Sequence, residues 1–222
     1  MATTVSSTAP STGAPSAFVE WVKSHRQAAT YAAVVLALAA GLFGWNLLST
    51  KTAERSAGGQ LEQGRLAFDS KNYPLAASVL AQVVENYAGT HAAQEGAILL
   101  AQVRLAQLQY QQAIDVLQRY APKADKDFRA QAYGLLGAAY EDALKPKEAA
   151  GAYEQAAAAA QYPFLRAQFL ADAGRAWVAA ADTARALAAY RTIVQQLDST
   201  SAVGEAKVRI GELTKGAAAV VK

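Results

Sequence analysis

The feature that most constrains this chain is a period. Four segments align along it: "NYPLAASVLAQVV", "QYQQAIDVLQRYA", "KPKEAAGAYEQAA" and "DTARALAAYRTIV". Their alanines Ala76, Ala113, Ala149 and Ala186 stand 37, 36 and 37 residues apart. Four residues after each alanine comes a large side chain: Leu80, Leu117, Tyr153 and Tyr190. A fixed period of this length marks a stack of supersecondary units, each unable to bury its apolar face alone.

Each alanine-bearing segment has a partner before it. In the third unit Tyr133, Leu136, Gly137 and Tyr140 fall at i, i+3, i+4 and i+7, which is one helix face. Ala149, Tyr153 and Ala156 follow on the next helix. The alternation of bulky and tiny residues reads as two antiparallel helices crossing closely, with Gly137 opposite Ala149 and the tyrosines beside the crossing. Pro74 and Pro146 fit the first turns of second helices, where a missing N–H costs little. Pro122 and Pro163 fall between units as helix stops. A last helix, about 202–214, sets Val203, Ala206, Ile210 and Leu213 on one face and suits a cap. The expected class is all-α: one N-terminal transmembrane helix plus a solenoid of about four helix pairs and a capping helix.

The pattern resembles the tetratricopeptide repeat (TPR). The third unit matches throughout, and the fourth keeps Leu170, Gly174, Trp177, Ala186 and Tyr190. The first keeps Gly64, Ala76 and Leu80, with Ala67 in place of the usual aromatic and Phe68 beside it. The second has Leu100 and Ala101 for the Leu-Gly pair and Arg104 at the aromatic position. The resemblance covers about residues 56–214.

Upstream, three zones are distinct. Residues 1–16 are small, polar and broken by Pro10, Gly13 and Pro15, a composition that cannot bury a core and is expected to be flexible. Residues 17–27 carry Phe18, Trp21 and Val22 with Lys23 and Arg26; they read either as an interfacial amphipathic helix or as a polar lead-in. Residues 28–48 contain no charge, and about 20 apolar residues span a bilayer core. Tyr31 and Trp45 lie near its two ends, where aromatic belts form. Ala33, Ala37 and Gly41 recur every four residues, and Ala40 and Gly44 make a second such pair. Small residues on a ridge let another helix approach in lipid. A linker over 49–55 and a flexible tail over 215–222 complete the division.

Composition excludes several classes. The chain has 222 residues, a net charge of +3 and no cysteine, so disulfides, thiolate catalysis and Cys-based zinc sites are out. Setting aside residues 1–48 leaves 19 basic and 17 acidic side chains. No basic block stands out for nucleic acid. His25 and His91 have no ligand-spaced carboxylates nearby. Glu141 and Asp142 are adjacent, which denies them a shared helix face. No nucleophile elbow, phosphate loop or zinc-protease motif occurs. No catalytic, cofactor or metal residue is expected, and the chain does not read as an enzyme.

In the TPR pattern the first helix of each unit lines the concave face. By register that face includes Arg65, Phe68, Ile98, Leu99, Gln102, Leu105, Leu135, Glu141, Arg175 and Val178. The Lys/Asn cluster of the chaperone-tail clamps is missing. A mostly apolar groove with a few charges suits a helical or extended apolar segment of a protein partner.

One membrane helix followed by such repeats resembles the YfgM family of bacterial inner-membrane proteins. The resemblance implies a single-pass inner-membrane scaffold, repeats in the periplasm, N-terminus in the cytoplasm, associated with the translocon and periplasmic chaperones. The alternative is an accessory subunit of a large respiratory or photosynthetic membrane complex. Lys23 and Arg26 at one end and Lys51 and Arg55 at the other leave orientation nearly balanced by charge.

A signal peptide's apolar core usually runs about 7–15 residues, shorter than the charge-free run here. Residues 28–48 are therefore expected to stay attached. Mass spectrometry of the mature protein checks this, and a new N-terminus near residue 50 would show cleavage instead.

Overall fold

A computed structural model describes residues 25–215. Nine α-helices follow one another among them. They are α1 (Arg26–Asp69), α2 (Tyr73–Asn86), α3 (His91–Ala106), α4 (Tyr110–Tyr120), α5 (Lys126–Asp142), α6 (Pro146–Ala159), α7 (Pro163–Ala179), α8 (Thr183–Gln196) and α9 (Ala202–Leu213). A 3-10 turn, Ala121–Lys123, joins α4 to α5. No strand occurs among the described residues. Residues 1–24 and 216–222 lie outside them, so the N-terminal tail, nearly all of the amphipathic segment and the C-terminal tail do too.

The chain divides into two compact units, Met1–Lys51 and Thr52–Lys222. In the first, α1 is long and apolar enough to cross a membrane by length and composition. Leu36, Leu38, Leu42, Phe43 and Trp45 stand open to the surroundings. Residues 49–55, separated by sequence as a linker, are helical and belong to α1. The stretch "STKTAER" holds no proline or glycine, so nothing in it stops helix propagation.

The second unit is a run of helix pairs: α1 from Thr52 with α2, then α3 with α4, α5 with α6, α7 with α8, and α9 as the cap. Two apolar clusters form its core. One joins Leu61, Ala76, Leu80, Val83, Leu100 and Val103. The other runs from Ile98 and Leu117 through Leu136, Tyr153, Trp177 and Tyr190 to Ile210 of the cap. Pro74 and Pro146 stand in the first turns of α2 and α6 as expected. Pro163 opens α7, and Pro122 sits in the 3-10 turn.

The helices of each pair meet across a small residue, and its partner differs from the sequence expectation. An added Cβ at Gly137 would lie 2.6 Å from the Tyr153 ring, not against Ala149. The same overlap recurs at Gly174 with Tyr190 and at Gly64 with Leu80, each at 2.6 Å. The glycine and its large partner stand 16 residues apart in all three. In the second pair the equivalent positions are Ala101 and Leu117, both fully buried. In three of the four pairs the large side chain four residues after the repeat alanine therefore lies over a glycine of the preceding helix. Ala149 is small because it is fully buried within the same cluster.

The turns inside the pairs are equally regular. Lys71, Leu108, Leu144 and Ala181 take positive φ of 58–61°, at the same 37, 36 and 37 spacing. After each, an N–H reaches back to the closing helix: Asn72 to Ala67, Gln109 to Arg104, Lys145 to Tyr140 and Asp182 to Trp177, at 2.8–2.9 Å. This is the Schellman arrangement, which usually places glycine at the left-handed residue. Here a non-glycine residue stands there in every pair.

The starts of the first helices are clamped to one another. Glu54 accepts from the His91 and Ala92 backbone N–H groups, both at 2.9 Å. Gln94 donates to Asp125 and accepts from the Asp125 N–H. Gln161 donates to the Lys126 carbonyl and the Asp127 carboxylate, both at 3.1 Å. His91 packs edge-on against Phe128, ring centres 4.7 Å apart.

The glycine contacts generate a paired prediction. Gly137→Leu overpacks the Tyr153 contact and costs about 1–3 kcal/mol or more. Gly151, inside α6, meets nothing within 4 Å when given a Cβ. Gly151→Ala there gains up to about 1 kcal/mol through helix propensity. Chemical denaturation of both variants measures the opposite signs.

Candidate functional site

The helix interiors are committed to the core, so function must come from the faces left over. The first helices α1, α3, α5 and α7 present one. Arg65 on α1 reaches Glu95 on α3 and lies 3.5 Å from Glu62 on its own helix. Arg175 on α7 reaches Glu141 on α5 at 3.2 Å and Asp172 on its own helix at 2.9 Å. Each cross-helix contact places its two residues on facing sides of neighbouring first helices. The Arg175 side chain is 56% exposed, so the pairs are worth at most about 1 kcal/mol each.

The other residues expected on this face are covered to different degrees. Leu99 packs partly buried on the first core cluster, and Leu105 and Leu135 on the second. Gln102 is half-buried. Phe68 is half-buried with its ring centre 5.8 Å from that of Tyr73. Val178 is exposed. Ile98 departs from the sequence expectation. It is 4% exposed and belongs to the core, because its register points it between α3 and the following pair. It cannot line a groove.

Sequence reasoning missed three members of this face: Glu95, Asp172 and the hydroxyl of Tyr153. Tyr153 donates to Glu141 at 2.7 Å. Burial pushes the Tyr153 hydroxyl well above its usual range, and the bond to Glu141 adds to this. Burial also raises the Asp172 carboxyl, with Arg175 opposing. Around Arg175, burial works against the charge, and Glu141 and Asp172 outweigh it. Tyr153 thus stays a neutral donor and Arg175 a fixed cation. The pairing joins residues 12 apart on different helices, so no local period announces it. The arrangement orients charge at an apolar surface. Among the described residues no group of three His, Asp or Glu side chains could hold a metal.

A second concavity lies on the outer side, between α2 and α4 over the start of α3. It has a volume of about 550 Å³ and is lined in part by Ala81, Val84, Ala93, Leu100, Val116 and Tyr120.

On α1, Ala37, Ala40 and Gly41 are exposed. An added Cβ at Gly41 meets nothing within 4 Å. The side chains of Ala33 and Gly44 lie outside the described residues.

No family model matches this chain, and no curated protein matches it with significance. Solved structures do. The crystal structure of nearly identical TPR-like repeats from a Podosopora anserina kinesin light chain matches with a TM-score of 0.53 at 19% identity. The match covers 71% of this chain and 85% of that one. A single-substitution variant of the same repeats matches at 0.52 and 18% identity, covering 71% and 84%. At this identity the likeness speaks for the fold alone: the described residues of the second unit, 52–215, form a TPR-like α-solenoid.

Proposed function

We propose that this chain is a membrane-anchored TPR scaffold that holds protein partners on the face of its first helices. The observation that carries the reading is that face. Leu99, Leu105 and Leu135 are left only partly covered and lie between fixed charges at Arg65 and Glu95 and at Glu141 and Arg175. An apolar strip bordered by oriented charges suits an amphipathic helix or an extended apolar segment. The exposed apolar length of α1 supports the anchor, with lipid as its surroundings. The resemblance to the YfgM layout supports a bacterial inner-membrane setting with the repeats in the periplasm, near translocon and chaperones.

A second reading has its own support. The small side chains of Ala37, Ala40 and Gly41 form an uncovered ridge where another membrane helix fits. That favours a permanent accessory subunit of a large membrane complex. Mild-detergent extraction separates the two: a stoichiometric complex speaks for the subunit, and a partner at low occupancy for the scaffold.

A photo-crosslinking residue at Leu135 or Leu99 is expected to yield discrete protein adducts in cells, and one at Leu144, on the turn between α5 and α6, none. Equal labelling at the three positions counts against the groove. Protease added to spheroplasts is expected to digest the repeats while the inner membrane is intact. Protection until lysis reverses the orientation and removes the periplasmic reading.

A further inference from the structure

The ion pairs of the second unit follow a pattern that its own fold does not require. Three arginines, on two first helices and the cap, each stand between two carboxylates. Arg65 meets Glu62 and Glu95. Arg175 meets Asp172 and Glu141. Arg209 meets Glu205 at 3.8 Å and Glu212 at 3.0 Å. By contrast Arg185, on α8, has one carboxylate, Asp182. An arginine between two carboxylates neutralises one and leaves one negative charge over. Three such sites leave an acidic excess, although residues 49–222 as a whole hold 19 basic and 17 acidic side chains. The sign of the chain is reversed here.

The sites share a side. Arg65 directly follows Gly64, and Arg175 directly follows Gly174. Each glycine faces the second helix of its own pair. One residue later, about 100° around the helix, both arginines therefore leave their pairs in the same direction. Asp172 ties the cap to them. Burial raises its carboxyl, Arg175 opposes, and Glu141 and Glu205 add to the rise. Beside burial, Arg209 and Glu205 also act on the Tyr190 hydroxyl, whose ring lies over Gly174.

The other charges of these helices do not restore the balance. Arg104 stands nine residues after Glu95 and Arg166 nine before Arg175, each half a turn off this side. Arg104 is also held by Gln107 and Gln109. Arg129 is turned back on the Ala124 carbonyl. Lys207 lies two residues from both Glu205 and Arg209, on the far side of α9. Arg55 and Asp69, seven residues before and after Glu62, cancel, as do Lys126 and Asp127 at the start of α5. Glu54 and Asp142 add carboxylates and no cation.

We propose that this side takes a basic amphipathic segment of a protein partner, whose Lys or Arg side chains pair with the carboxylate left over at Arg65, Arg175 and Arg209. The inference rests on the partner face proposed above and names the chemistry it selects. Complementary charge guides such a segment onto the face and sets its register. Acidic peptides and phosphates meet like charge and are turned away. Each carboxylate is already oriented by its arginine, so a partner cation finds it in position.

Two photoreactive peptides with the same leucines test this, one with lysine and one with glutamate at its polar positions. Each is crosslinked to the full chain in neutral detergent, and the adducts are resolved by gel and mapped by mass spectrometry. The lysine peptide is expected to give at least about fivefold more adduct on the first helices, and about 0.5 M salt to bring the two near parity. Glu62→Gln, Glu95→Gln, Glu141→Gln and Glu205→Gln together are expected to remove the excess with helix content unchanged, since exposed pairs add little stability. Glu205→Gln alone is expected to remove part of it. Glu85→Gln, Asp115→Asn, Glu148→Gln and Asp198→Asn together change the net charge equally on second helices and a turn, and are expected to keep it. If the glutamate peptide labels the first helices as well as the lysine peptide, the basic partner is overturned while the partner face stands. If the lysine excess survives the first set of changes, or is lost with the second, the charge that matters lies elsewhere and the proposal is overturned. If neither peptide reaches the first helices, the partner face itself fails and the proposal falls with it.

Discussion

The structure depends on how closely two helices approach inside each pair. At Gly64, Gly137 and Gly174 there is no room for a Cβ because Leu80, Tyr153 and Tyr190 occupy it. A large side chain lying on bare backbone fixes the separation and the axial register of the two helices. The repeated distance of 16 residues then fixes the length of helix and turn between them. Once that length is set, each turn closes in the same conformation, left-handed at Lys71, Leu108, Leu144 and Ala181. A left-handed residue with a side chain costs about 1–2 kcal/mol. The regularity of all four turns shows that pair packing outweighs this local cost.

That hierarchy explains what was legible in the sequence. The fold class, the pairing order and the cap could be read because alanine and large residues recur at one period, and burial enforces that period. The partner of Gly137 was misassigned to Ala149. Register along one helix does not say which of two neighbouring small and large residues crosses a glycine on the next. The turns were not legible at all, since none of the four carries the glycine that usually marks them. The continuity of α1 through 49–55 was obscured by a shift from apolar to polar residues. Such a shift changes what surrounds a helix without ending it.

The candidate face was legible only in part. Nine of its ten residues lie on the surface or partly covered, and Ile98 is in the core. Periodicity assigns a residue to a sector of the helix. Ile98 and Leu99 are neighbours near the boundary of that sector, and a rotation of a few tens of degrees decides between them. Glu141 came out of the sequence as a surface charge, but its bonds to Tyr153 and Arg175 join three helices. Contacts of that kind depend on the pair-to-pair angle, which no single repeat encodes.

The first helices therefore divide their work along their length. Their starts are tied to the next unit by side chain to backbone bonds that bridge 31–38 residues, and these fix the spacing of successive units. Their middles carry the glycines and are committed to the core. Their remaining side carries exposed ion pairs that add little stability. Changes to those charged residues therefore leave the solenoid standing while altering what it presents. The two kinds of residue on that side differ in what they do for the fold: the ion pairs add little to it, whereas Leu99, Leu105 and Leu135 pack against its core and help to hold it.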